Sequence, residues 1–185
     1  MNLGSRSLLF VLFVAVAAAF VWLTSMRLPS MVASHFADSG AANGFMPRGV
    51  YAWFMLALVV GLPAFMVGLT WVSIANPKAR INVPNKDYWL APERRAETIE
   101  FLRTGILWFG FMLVAFLCYV HWLVVLANRV QPAQLANTWF IGGLVAFLAA
   151  LLVWLKVFLG HFRQSASSIE STSPGKPGAA SHLKR

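Results

Sequence analysis

The stretch TGILWFGFMLVAFLCYVHWLVVL, residues 104–126, carries no charge and no proline, and its length decides the fold. About 20 helical residues cross the ~30 Å hydrocarbon core of a bilayer, whereas an apolar run inside a soluble core usually stops near ~14. Three further runs have the same character: Leu8 to about Met26, Val50 to about Ala75, and Thr138 to about Phe162. With no water in the bilayer to satisfy the backbone, such runs must pair their N–H and C=O groups internally, as α-helices do. The reading is an all-α integral membrane protein: a four-helix bundle over residues 1–163, then a disordered cytoplasmic tail over 164–185, where serine, glycine, proline and alanine replace the apolar residues.

Composition agrees with that reading. Only 11% of the 185 residues are charged, against roughly 25% in soluble domains, so a soluble fold is excluded. The net charge of +9 does not point to nucleic acid, because the basic residues flank apolar runs and do not cluster on a soluble face. The single cysteine, Cys118, lies inside a run; it forms no intramolecular disulfide and reads as packing. Arg6 ahead of the first run, with Ala17, Ala18 and Ala19 within it, has the look of a signal peptide. The run continues through Phe20, Val21, Trp22 and Leu23, which suits a retained anchor and is too long for a signal core.

Lysine and arginine set the expected orientation, since acidic residues contribute little to the bias. Lys78, Arg80, Lys86, Arg94, Arg95 and Arg103 lie between the second and third spans; Arg6, Arg163, Lys176, Lys184 and Arg185 lie at the termini. The two other loops, about 27–49 and 127–137, hold only Arg27, Arg48 and Arg129. Both termini are therefore expected in the cytoplasm, with those two loops outside. Trp53, Trp71, Trp89, Trp122 and Trp139 fall near span boundaries, where an amphipathic ring prefers the headgroup region. Gly142, Ala146 and Ala150 in span four, and Ala15 and Ala19 in span one, recur at helical spacing and are expected to let neighbouring backbones approach closely. Pro63, without an N–H, is expected to bend the second span. Pro92 followed by Glu93 is expected to open a helix that runs straight into span three.

The first outer loop, LPSMVASHFADSGAANGFMPR, residues 28–48, is dense in turn formers and polar groups, so it is expected to hold a fixed shape. Its Leu28-Pro29, His35-Phe36, Gly40 and Gly44 follow directly on a first span. This pattern resembles the membrane-protein family catalogued as domain of unknown function 1648, over about the first 70 residues, with Asn43 a departure before the second glycine. The segment NKDYWLAPERR, residues 85–95, is similar to a cytoplasmic stretch in members of that family. The family looks related to the immunity protein of the Sdp toxin system, which is longer and has additional spans. The resemblance implies a multi-pass protein of the bacterial inner membrane, in a setting of toxin immunity or signal relay. It carries no catalytic or ligand assignment.

Two sets of residues are candidates for function: Pro29, His35, Phe36, Asp38, Gly40 and Gly44 in the outer loop, and Asn85, Lys86, Asp87, Tyr88, Trp89, Arg94 and Arg95 on the cytoplasmic side. His35 and Asp38 with His121, near the outer end of span three, make a conceivable zinc or pH-sensitive group. These residues lack a ligand spacing of their own, so the preferred reading has His35 bonded to the loop backbone and His121 in the interface beside Tyr119 and Trp122. Phe36 is expected to bury against the bundle while His35 faces a polar pocket near Asp38. Lys156, the only charge within span four, is placed near the cytoplasmic surface, where its ammonium can snorkel. The cytoplasmic patch is read as lipid contact before a docking site for a cytoplasmic regulator. No phosphate loop, metal-protease pair or nucleophile elbow is present, so no enzyme, cofactor or metal is expected. The leading expectation is a non-enzymatic inner-membrane protein whose outer loop recognises an extracytoplasmic peptide or envelope component. The alternatives are a transporter or transporter subunit and, third, a membrane enzyme acting on lipid-linked substrates.

Overall fold

A computed structural model of the chain describes residues 2–76 and 81–172, with side chains described as far as Arg163. Lys78, Arg80, Lys176, Lys184 and Arg185 of the charge argument, and the tail beyond Thr172, lie outside the described residues. Four helices are long and apolar enough to cross a membrane: Leu3–Ser25, Arg48–Ala75, Pro92–Ala127 and Asn137–Arg163. They contain the four runs read from the sequence almost whole.

Helix α1, Leu3–Ser25, starts five residues before the apolar run because Asn2 caps it, its Oδ1 accepting from the Ser5 N–H at 2.9 Å. The second span is composite. Helix α2, Arg48–Leu56, passes through a π-turn, Ala57–Gly61, into α3, Leu62–Ala75. Pro63 cannot donate to a carbonyl one turn back, and the ladder widens just before it, with the Leu62 N–H reaching the Ala57 carbonyl. A short helix, α4, Lys86–Trp89, precedes α5, Arg95–Ala127, and α6 runs Asn137–Thr172. The α6 backbone thus continues past Phe162 into the stretch read as disordered tail, as far as Thr172, the last of the described residues.

The all-α expectation needs one correction: the 28–48 loop is an antiparallel β-hairpin. Strands β1, Met31–Phe36, and β2, Ala42–Pro47, pair Val32 with Met46, Ala33 with Phe45 and His35 with Gly44. The turn closes with the Ala37 N–H donating to the Ala41 carbonyl at 2.9 Å and the Gly40 N–H to the Ala37 carbonyl at 2.8 Å. Gly40 sits at φ 83°, where a side chain would be strained.

Helices α1 and α5 lie side by side and run in the same direction. Arg6 donates to Thr104 Oγ1 at 2.9 Å, Phe10 lies against Gly110, and Thr24 meets His121 at 2.7 Å. The core between α1, the second span and α5 holds Phe10, Val21, Tyr51, Val59, Leu107 and Val114. Helix α6 packs on α5 through a different face from the one expected. Gly142, Ala146 and Ala150 point away from the protein, as do Ala15 and Ala19 of α1. Gly143 accommodates the Tyr119 ring instead, Phe147 stacks on Phe116 at 4.4 Å, and Phe158 stacks on Phe101 at 5.3 Å. Interdigitated aromatic rings, which bury more area than small residues do, choose the packing face here.

Candidate functional site

The hairpin and the 128–136 connection share one end of the bundle, and polar side chains bind them together. Asn128, the C-cap of α5, turns its amide toward β1: Oδ1 accepts from the Ala33 N–H at 2.8 Å and Nδ2 donates to the Ala33 carbonyl at 2.9 Å. The amide thus acts as one residue of a third strand, and it closes the outer edge of β1. Ala33 is 1% exposed, so these two backbone groups have no recourse to water. At the turn, Asn137 Nδ2 donates to the Asp38 carbonyl, the Leu135 N–H donates to the Gly40 carbonyl at 2.8 Å, and the Ala42 N–H donates to the Ala133 carbonyl at 3.2 Å. A Cβ on Gly40 would run into the Leu135 carbonyl oxygen. Arg48 secures the base, donating through Nη1 to the Met26 and Leu28 carbonyls, both at 3.1 Å.

The candidates in the 28–48 stretch therefore divide into those that build the hairpin and those it displays. Gly40 allows the turn, and Gly44 lies under the His35 side chain, where a Cβ would come within 2.9 Å of His35 Cβ. Leu28 is buried beside Pro29, and Phe36 and Met46 pack against the core from β1 and β2. His35 and Asp38 are exposed, together with Phe45 at 59%. The expected polar pocket joining His35 to Asp38 does not form: His35 Nδ1 lies 3.2 Å from Ser34 Oγ, while Asp38 sits in the turn.

His121 does not pair with His35 either, and its ring is not exposed. It is fully buried beneath the hairpin, its Nδ1 2.9 Å from the Tyr51 hydroxyl and its Nε2 2.7 Å from Thr24 Oγ1. Thr24 Oγ1 lies 2.6 Å from the Phe20 carbonyl, which can only accept. Its one proton thus goes to Phe20, so it accepts from His121 Nε2–H, and Tyr51 donates to Nδ1. This assignment gives every member a partner and leaves the imidazole neutral. Phe20 meets the ring edge-on at 5.6 Å and Tyr51 stacks on it at 5.7 Å. Among the described residues no group of three or more His, Cys, Asp or Glu is placed to hold a metal.

At the opposite end, residues 85–103 fold against α6. Asn85, at φ 53°, donates through Nδ2 to the Phe162 carbonyl at 3.2 Å, and Trp89 Nε1 reaches the same oxygen at 3.4 Å. Thr98 donates to the Trp89 carbonyl at 2.7 Å. Trp89 is buried, so it belongs to this packing and not to a headgroup belt. Arg94 lies over the Tyr88 ring at 4.0 Å, and Lys86 and Asp87 remain exposed. Arg95 opens α5.

Sequence reasoning passed over Asn128, Asn137, Thr24 and Tyr51. Each stands at the edge of an apolar run and reads as a boundary residue; the available signal was that polar groups bordering a span seek partners on other helices. Neither a family model, nor a curated protein, nor a solved structure matches the chain.

Proposed function

We propose that the chain is a non-enzymatic protein of the bacterial inner membrane, with both termini in the cytoplasm, and that its hairpin is a preformed recognition surface for an extracytoplasmic peptide or envelope component, in toxin immunity or envelope sensing. One observation carries the reading: the hairpin is fixed to the bundle by Asn128 and the 133–137 segment, while His35, Asp38 and Phe45 stand exposed on it. Binding groups on a rigid support lose little entropy when a partner docks. The orientation is supported by charge, since Arg6, Lys86, Arg94, Arg95, Arg103 and Arg163 gather at the end away from the hairpin. On this reading Lys86 and Asp87 face the cytoplasm, open to headgroups or to a regulator. The π-turn at Ala57–Gly61 favours a second reading, a transporter subunit, because such turns often mark working helices; the absence of charged residues from mid-depth in the spans weighs against it.

Cysteine accessibility tests the orientation. In a Cys118→Ser background, Ser39→Cys is expected to react with a membrane-impermeant maleimide in intact cells and Lys86→Cys only after permeabilisation; the reverse pattern overturns it. For recognition, His35→Ala is expected to abolish protection against the cognate membrane-active peptide at unchanged protein abundance. Phe36→Ala is expected to lower abundance, because it removes part of the ~1.5–3 kcal/mol that full burial of such a side chain contributes. Equal loss of abundance in the two variants would make His35 a structural residue.

A further inference from the structure

We propose that the end of α6 remote from the hairpin holds an anionic phospholipid, its phosphate between Lys156 and Arg163 and its acyl chain along Val153 and Val157. This requires only that the chain sits in a bilayer; it is independent of which leaflet that end faces and of any role for the hairpin. Lys156, Gly160 and Arg163 follow an i, i+4, i+7 spacing and so share one helix face. Gly160 leaves a dip between the two cations, since a Cβ there would meet nothing within 4 Å. Phe101 and His161, stacked at 3.9 Å, wall the dip, and Trp89 backs the imidazole at 4.7 Å, so that wall is rigid. The whole forms a cavity of about 840 Å³, within the ~300–1,000 Å³ range of small-molecule sites.

Chemistry selects the occupant. Lys156 and Arg163 are exposed and have no acidic partner among the described residues, so they favour an anion. The trough continues from them onto Val153 and Val157, which are 63% and 68% exposed on an α6 face that no other helix among the described residues covers. A soluble anion would leave that apolar extension unused, whereas a phospholipid matches both halves. Lys156 lies ~10 Å deeper along the helix than Arg163 at 1.5 Å per residue, and its flexible stem brings the ammonium back toward the phosphate level.

The test is retention of lipid by the purified full-length chain, released from nanodiscs of equal phosphatidylglycerol and phosphatidylcholine and weighed by native mass spectrometry. At ~1 kcal/mol for each basic residue near a headgroup, two cations correspond to a roughly 30-fold preference for phosphatidylglycerol. Lys156→Ala/Arg163→Ala is expected to bring the preference within about threefold. Val157→Trp keeps both charges, fills the trough from an exposed position, and is expected to reduce the preference about tenfold. No preference in the unmodified chain overturns the proposal. So does full retention in Val157→Trp beside loss in the double variant, which would mean diffuse surface charge, and so does displacement of the lipid by excess inorganic phosphate, which would mean a soluble-anion site.

Discussion

Replacing Asn128 by alanine is expected to free the hairpin from the bundle. The change removes the acceptor for the Ala33 N–H and the donor for its carbonyl in one step, and Ala33 is 1% exposed. Each orphaned buried backbone group costs about 1–3 kcal/mol, so the closed hairpin should lose roughly 3 kcal/mol. Asn128→Asp is not a rescue, because a second carboxylate oxygen would face the Ala33 carbonyl where an amide N–H now donates. Chymotrypsin provides the readout, with Phe36 and Phe45 as targets in the strands. When opening is fast relative to cleavage, the rate follows the open population, and ~3 kcal/mol becomes a roughly hundredfold faster cut. A cleavage rate unchanged from the unmodified chain would show that the turn contacts at Gly40 and Asp38 suffice without the amide.

The second large effect is expected at His121. His121→Leu fills most of the volume but breaks both side-chain bonds and leaves the buried Tyr51 hydroxyl without an acceptor. Interhelical hydrogen bonds inside membranes contribute about 1–2 kcal/mol apiece at most, so the loss should be ~2–4 kcal/mol in an equilibrium unfolding titration in mixed micelles. Tyr51→Phe on top of His121→Leu should restore about 1 kcal/mol, because removing both partners of a buried bond costs less than removing one. Strict additivity of the two substitutions would show that Tyr51 and His121 are neighbours without an energetic link.

The spans were readable because bilayer thickness imposes a length that composition alone reveals, and Pro63 marks a break that depends only on local backbone chemistry. The hairpin was not readable. Both strands are short: in MVASHF, β1 buries Val32 and Ala33 in succession, and ANGFMP, although its burial alternates in the fold, carries Asn, Gly and Pro and shows no alternation of apolar and polar residues that would announce a strand. What holds them is non-local: the Ala33 partner lies 95 residues on. Gly40 and Gly44 stood out as glycines at meaningful spacing, but their reasons, a carbonyl of Leu135 and the side chain of His35, belong to other parts of the chain. The small-residue stripe of α6 was correctly spaced yet faces outward, because Tyr119 opposite Gly143 decides the helix's rotation. Likewise His121 was read as a residue beside Tyr119 and Trp122, because its partners Tyr51 and Thr24 lie 70 and 97 residues away along the chain.

The parallel course of α1 and α5 has a consequence for how the protein is made. Arg6 bonds a residue 98 positions later, Thr24 one 97 later, Ala33 one 95 later and Asp38 one 99 later. At ~5–20 residues per second on the ribosome, every one of these groups waits roughly 5–20 s for its partner to be synthesised. During that delay the nascent first half has already emerged, with an arginine, a threonine and the open edge of β1 still uncommitted. The translocation machinery or surrounding lipid must shelter them until the third span arrives, and a chain stalled before Asn128 would be threaded through the membrane without having settled its own shape.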